Sequence, residues 1–151
     1  MGDQDSAVAE SNKQLAITFL DGLASGDQAA IRAPLADDAV LVLPRPTFSG
    51  TVINSAKNIA EAMAGLQAHY ASPQARLSPV AASGSTVFAE WRLTATIADN
   101  GAPYDQFYCW VFTCAHGLIT EIHEYQDTHY GFEAMGALAK DTLDIFAGPA
   151  S

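Results

Sequence analysis

Apolar residues recur at helical spacing near the start of the chain, where Ala16, Phe19, Leu20 and Leu23 fall three and four residues apart and predict an amphipathic first helix. Gly26 in the run ASGD closes it, and Asp27 is placed to cap a short second helix through Ile31 and Leu35, whose regularity Pro34 limits. Asp37 and Asp38 read as a turn. The apolar run that follows predicts a strand over residues 39–43, ended at Pro44-Arg45-Pro46, where two prolines two residues apart disfavour further pairing. Ser55 then predicts the N-cap of a third helix whose stripe is Ile59, Met63, Leu66 and Tyr70 and whose end is Pro73. Beyond that proline the period shortens to two. Strands are predicted over 75–82, 87–97, 104–114 and 119–127, with ADNG (98–101) and AHG (115–117) as hairpin turns and a C-terminal helix after the last strand.

Helical segments in the first half and strands in the second predict one α+β domain, with three or four helices over one face of a curled, mostly antiparallel sheet. The domain is expected over residues 7–146, with a frayed polar segment at 1–6 and a short tail at 147–151. No internal repeat, low-complexity tract or linker divides the sequence. At 151 residues, a single core that buries roughly two thirds of the unfolded surface is expected.

The balance of 7 basic against 17 acidic residues gives a formal charge of -10. That charge repels phosphate backbones and anionic headgroups, so neither nucleic acid nor a membrane surface is an expected partner. The apolar runs fall short of the ~20 residues a bilayer span needs, and the acidic start MGDQDSAVAE has no signal-peptide character, so a cytoplasmic location is expected. Cys109 and Cys114 share the predicted strand 104–114; five residues at about 3.3 Å each hold their Cα atoms roughly 16 Å apart, beyond the ~7 Å limit of a disulfide, and both are expected to be reduced core residues. His69, His116, His123 and His129 show no metal-ligand spacing, so no metal is expected.

Strand alternation puts Trp91 and Leu93 on one face and Glu90, Arg92 and Thr94 on the other. By the same rule Gln106, Tyr108, Trp110 and Phe112 share a face, as do Ile122, Glu124 and Gln126. Period alone does not say which faces meet. A register slip of one residue would turn Glu124 to solvent and bring His123 and Tyr125 inside. The strand 106–114 is apolar on both sides, which points to a second covering layer, most simply a second copy of the chain, and hence to a homodimer.

This order of elements, with the stretch GLITEIHEYQDTHYGFEAMG (117–136) placing Glu124 in a strand that runs into a helix, resembles the SnoaL-like branch of the NTF2-like superfamily. The resemblance covers about residues 15–135 and is sharpest over 90–127. It implies a cone-shaped fold, a curled sheet around an apolar pocket. From GAPY through GLITEIHEYQD the chain is similar to limonene epoxide hydrolases; in these and in SnoaL-type polyketide cyclases a pocket carboxylate sits where Glu124 sits here. The resemblance thus implies a cavity lined by Glu124, Gln126, Gln106, Tyr108, Trp110, Trp91, Leu93 and Tyr70, with Phe19, Leu20 and Leu23 of the first helix as further wall. The departures bear on mechanism: the hydrolase's Arg and Asp are replaced by Trp91 and Leu93, and its water-holding Tyr and Asn by Leu41 and Leu43. Ketosteroid isomerases are a second relative, yet the position of their Asp base is Leu43 and that of their helix-one Tyr is Phe19. Epoxide hydrolysis by a water-activating triad and steroid isomerisation are both disfavoured.

What remains is a cavity with one candidate acid/base, Glu124, neutral hydrogen-bonding groups at Tyr108 and Tyr70, and His69 near the mouth as a candidate partner base. An apolar wall raises a carboxyl pKa toward neutrality and suits it to exchange protons. No phosphate loop, nucleophile elbow or paired-cysteine motif is present, so no cofactor is expected. The leading expectation is a cofactor-independent lyase (dehydratase), isomerase or cyclase acting on a small apolar cyclic or aromatic substrate; the alternative is a non-catalytic member that binds a hydrophobic ligand or simply dimerises. Structural roles compete residue by residue: Tyr70 and Tyr108 as core hydroxyls, His69 as a solvated helix-end residue, Glu90 with Arg92 as a solvent-side ion pair or dimer contact, and His123 and His129 as surface or interface residues.

Overall fold

The computed structural model describes residues 2–44 and 52–136. Arg45 and Pro46 of the proline break, the far end of the expected domain and the 147–151 tail lie outside the described residues. Four helices, α1 (Gly2–Ser25), α2 (Gln28–Arg32), α3 (Ala56–Gln67) and α4 (Thr128–Met135), pack with six strands, β1 (Leu35–Val42), β2 (Val52–Asn54), β3 (Tyr70–Ser83), β4 (Thr86–Ile97), β5 (Pro103–Ala115) and β6 (Leu118–Gln126). The strands form one curled, unclosed sheet in the order β2-β1-β6-β5-β4-β3. Every pairing is antiparallel except β1 with β6, which makes the sheet mixed.

Local chemistry sets the element boundaries. The Asp27 carboxylate accepts from the amides of Ala29 and Ala30 at 3.0 and 3.1 Å and starts α2. Ser55 Oγ accepts from the Asn58 amide to start α3, and Asp127 Oδ1 accepts from the Tyr130 amide to start α4; each satisfies an N–H that a first turn leaves unpaired. Between β5 and β6, His116 and Gly117 both have positive φ, 54° and 75°, as the two central residues of a tight hairpin turn require. Where α1 meets α2, a Cβ on Gly22 would lie 2.7 Å from the Ile31 backbone nitrogen, so only glycine lets the two backbones approach so closely.

The core lies between α1, α3 and the inner sheet face. Ala16, Phe19, Leu20 and Leu23 of α1 are all buried, with the Phe19 ring set edge-on to Trp110 and Phe112 at centroid distances of 6.0 and 5.7 Å. Such aromatic contacts add to the area buried.

Several boundaries differ from expectation for identifiable reasons. α1 begins at Gly2, so residues 2–6 belong to its first turn and the start of its second. Leu35 opens β1, and Asp37 and Asp38 lie within that strand, where its pairing with β6 shifts register between Leu35 and Val40. Tyr70 opens β3 opposite Ile97 and does not extend the helix. Pro73 does not end an element: β3 runs past it and Pro79, with register shifts at 71/74 and 77/80, which an edge strand tolerates because its free side needs no donor. The three-residue β2 was not predicted. Asp127 caps α4 instead of ending β6. Cys114 is buried but Cys109 is exposed, because residues an odd number apart on a strand face opposite ways. Among the described residues, no helix is long and apolar enough to cross a membrane.

Candidate functional site

The register of β4, β5 and β6 builds one wall of an internal cavity. Trp91 stands opposite Tyr108, while Trp110 stands opposite Glu124 and Tyr108 opposite Gln126. Alternation turns all five inward, and each of Trp91, Tyr108, Trp110 and Glu124 is at least nine-tenths buried. The rings form a continuous surface, Trp91 to Tyr108 at 5.3 Å and Tyr108 stacked on Trp110 at 5.9 Å. Helices close the other sides: Leu23 from α1, Met63 and Gln67 from α3, Gly131 and Met135 from α4. The open space is narrow, about 20 Å³ measured to the centre of a water molecule, where about 10–15 Å³ suffices for one water.

Glu124 is the carboxyl group in this wall and is 5 % exposed. Its Oε1 accepts a hydrogen bond from Gln126 Nε2 at 2.9 Å, and no ion pair is formed to it among the described residues. Burial disfavours the charged form and pushes its pKa up from 4.5 to about 8. At neutral pH the neutral acid therefore outnumbers the carboxylate by about tenfold.

Beside it sits a cluster of three phenols. The Tyr104 and Tyr108 hydroxyls are 2.7 Å apart, and Tyr70 joins them with its ring 5.0 Å from that of Tyr104 and its hydroxyl interacting with both. Burial is the main cause that raises all three pKa values, and negative charge on Glu124 would raise them further. All three stay protonated and can donate hydrogen bonds near neutrality. Gln106 is buried next to them and spends its amide N–H on the Asp127 carbonyl at 2.8 Å, tying β5 to the start of α4. Gly131 rides directly above: a Cβ there would meet Gln106 Nε2 at 3.5 Å and Gln126 Oε1 at 3.7 Å.

Of the residues singled out from the sequence, Glu124, Tyr108, Tyr70, Trp91, Trp110, Gln126 and Leu23 line the cavity. Gln106 braces its edge. Leu93, Phe19 and Leu20 are buried in the core but do not line it. His69 does not line it either; it is half-buried in the turn after α3, its backbone carbonyl accepting from Ala98. The helix ends two residues earlier, so the chain turns there and brings Tyr70 inward in its place. Sequence reasoning missed Gln67 and Tyr104. Gln67 carried a signal, a polar residue four positions after Met63 on an apolar stripe, and Tyr104 shares parity with Gln106 and Tyr108. Gly131 and Met135 carried none, because the docking of α4 is purely tertiary.

The outer face of the same strands is different in kind. Arg92 reaches across to Asp105 in a two-pronged bond, both distances 2.7 Å, and lies over the Phe107 ring at 5.1 Å. The ion pair expected between Glu90 and Arg92 is thus replaced by a cross-strand one. His123 pairs with Glu121 and stacks on Tyr125, while His129 pairs with Glu133 on exposed α4. Phe88, Phe107 and Tyr125 are about half exposed. Among the described residues, no cluster of His, Cys, Asp and Glu has the geometry to hold a metal ion.

Solved structures share this architecture. A SnoaL-like protein from Jannaschia sp. CCS1, provisionally assigned as a polyketide cyclase, superposes with a TM-score of 0.75 at 16% identity over 86% of this chain and 94% of its own. An epoxide hydrolase from M. tuberculosis, similar to limonene epoxide hydrolases, gives 0.66 at 20% identity over 94% and 98%. A hypothetical protein from Catenulispora acidiphila with a ketosteroid isomerase-like fold gives 0.70 at 14% identity over 83% and 95%. At such identities the likeness concerns fold. No curated protein matches the sequence. The model of the SnoaL-like domain matches residues 16–122, which run from within α1 to the first half of β6, and the chain belongs to the SnoaL-like domain family.

Proposed function

We propose that the cavity is the active site of a cofactor-independent enzyme that moves protons on a small apolar cyclic or aromatic substrate. Dehydration, isomerisation, cyclisation and a related C–C lyase step all fit this description. The observation that carries the reading is Glu124: one carboxyl group, buried against aromatic rings, held by Gln126 and with a pKa raised to about 8. Such a group serves as a general acid at neutral pH and gains base character as pH rises. Tyr70, Tyr104 and Tyr108 offer hydroxyl donors for an oxygen that gains charge as the proton moves.

The apolar residues at four strand positions narrow the chemistry. Trp91, Leu93, Leu41 and Leu43, which stand where the resemblance to limonene epoxide hydrolases puts a water-activating set, are all buried, and none can take a proton from a water, so a triad-activated attack on an epoxide is not the reaction proposed. The half-exposed Phe88, Phe107 and Tyr125 of the outer face support the further proposal of a homodimer that covers them, for which sedimentation at micromolar concentration is the check.

The test needs no knowledge of the natural substrate. Small cyclic ketones incubated in deuterated buffer exchange their α-protons when an acid/base group catalyses enolisation, and NMR follows the loss of signal. The wild type should accelerate exchange for ketones that bind, and Glu124→Gln, which keeps shape but removes the acid/base group, should lower the rate by ~10² or more. Equal rates in the two proteins would remove Glu124 as the acid/base, and ligand binding without any catalysed exchange would favour a binding protein.

A further inference from the structure

The hydrogen bond on Glu124 comes from a side chain that is itself held in place. Gln126 Nε2 donates to Glu124 Oε1 at 2.9 Å, and the two residues stand two apart on β6, on the face that lines the cavity. Gln126 is the last residue of that strand and pairs with Tyr108. The next residue is pinned as well: the Asp127 carbonyl accepts from Gln106 Nε2 at 2.8 Å, and the Asp127 carboxylate caps α4. The Gln126 side chain thus leaves a backbone fixed on both sides. Among the described residues, the ionisable groups that share the cavity with Glu124 are the phenols Tyr70 of β3 and Tyr104 and Tyr108 of β5, while α1, α3 and α4 bring none to it.

The bond restricts where the Glu124 proton can sit. A carboxamide N–H only donates, and a neutral carboxyl group has one oxygen that carries hydrogen and one that does not. The carbonyl oxygen is the better acceptor of the two, so an N–H donor on Oε1 makes Oε1 the carbonyl oxygen of the acid form that prevails at neutral pH. Resting on the proposal that Glu124 is the acid/base group, we infer that Gln126 is its positioning residue: the amide keeps Oε1 as the hydrogen-bonded oxygen in both protonation states, so the proton that is exchanged is carried on Oε2. Loss of that proton leaves a carboxylate whose Oε1 accepts from the same N–H in a stronger, charge-assisted bond. The carboxyl group therefore keeps its partner and its orientation as it passes between acid and base, and a fixed orientation favours proton transfer to a bound substrate. An amide turned end for end would instead accept the acid's O–H on its own oxygen and favour the neutral form. Deleting the amide has opposite consequences in the two cases.

The experiment reads that sign. A donor that binds the carboxylate more strongly than the acid lowers the carboxyl pKa, so its removal raises it. Gln126→Met keeps length but has no N–H. It should move the Glu124 midpoint, followed by ¹³C NMR of the carboxyl carbon, up by about one pH unit from the wild-type value near 8. The rise of the proton-exchange rate with pH should move by the same step, a change that a purely structural role does not produce. In the wild type, the Gln126 side-chain amide signals, assigned by through-bond correlation to their own backbone, should titrate with the Glu124 midpoint and move downfield as the carboxylate forms. This second measurement carries the test if the variant fails to fold.

A Glu124 midpoint that is unmoved or lowered in Gln126→Met overturns the proposal, as do Gln126 amide signals that ignore the titration of Glu124. The two readings fail separately. Normal proton exchange in Glu124→Gln, together with the raised midpoint in Gln126→Met, supports the proton placement and removes the catalytic role of Glu124. Exchange lost in Glu124→Gln with an unmoved midpoint in Gln126→Met keeps that role and defeats the assignment of Gln126.

Discussion

Glu124 and Asp105 are carboxyl groups on adjacent strands of one sheet, and they face opposite ways. Asp105 looks out from β5, holds the Arg92 guanidinium by two bonds, and has its pKa lowered by that partner. Glu124 looks in from β6, meets aromatic rings and one amide, and has its pKa raised to about 8 by burial. Residue type does not decide which becomes chemistry. An exposed carboxylate paired with a cation stays charged and inert, whereas an unpaired one in a low-dielectric wall is poised between two protonation states near neutral pH. The aromatic residues divide in the same way: Trp91, Tyr108 and Trp110 wall a cavity inside, while Phe107 and Tyr125 stand half exposed outside.

The largest expected consequence is a pH-dependent stability dominated by the inner carboxyl. Glu124 has a folded pKa near 8 against 4.5 in the unfolded chain, so between those values the folded state binds more protons and stability falls as pH rises. The loss begins near pH 4.5, is complete above about pH 8, and amounts to roughly 5 kcal/mol at most over the window, an upper bound set by 1.36 kcal/mol per pKa unit. Denaturant titrations at pH 5 and pH 9 should show this slope in the wild type and a flatter one in Glu124→Gln. Asp105 carries the opposite sign, its contribution present above the unfolded pKa and lost as pH falls through the folded one. Its solvent exposure leaves that contribution small and screened by salt.

Next in size is packing. Trp110→Ala empties the inner wall and should cost about 3–5 kcal/mol, read as a lower urea midpoint. Phe107→Ala, three strand positions before it and so on the outer face, should change monomer stability by less than about 1 kcal/mol; an equally large loss there would show the outer face to be as tightly packed as the core. Smaller still is the effect at Gly131. Its would-be Cβ has only ordinary contacts, 3.5–3.9 Å, so Gly131→Ala should hold or raise stability by up to about 1 kcal/mol through helix propensity and leave ligand binding intact. Gly131→Leu should block binding by filling the space above Gln106 and Gln126. Smallest is Asp105→Asn, which should leave the midpoint nearly unmoved at physiological salt.

The strand faces were legible in the sequence because period-two alternation survives tertiary context: Trp91, Tyr108, Trp110 and Glu124 all fall inside, and Arg92, Phe107 and His123 on the other face. The apolar stripe of α3 was legible too, yet it ran on too far. Tyr70 continues the helical spacing from Met63 and Leu66, but the Leu66 carbonyl accepts from the His69 amide in a closing turn and Tyr70 pairs with Ile97. Spacing cannot distinguish the two. His69 was therefore assigned to the cavity mouth, and Gln67, which lines the cavity, was passed over. The parallel pairing of β1 with β6 and the seat of α4 join distant segments, and no local pattern records them. The pKa of Glu124 was foreseeable in direction once the face was fixed; its lack of a cationic partner depends on the tertiary fold.

The most direct measurement is the titration of Glu124 itself, its side-chain carboxyl carbon followed by ¹³C NMR from pH 4 to pH 10 and assigned by loss of the signal in Glu124→Gln. A midpoint near 8 is expected for the neutral, buried acid described above; a midpoint near 4.5, the value of a solvated glutamate, would contradict it.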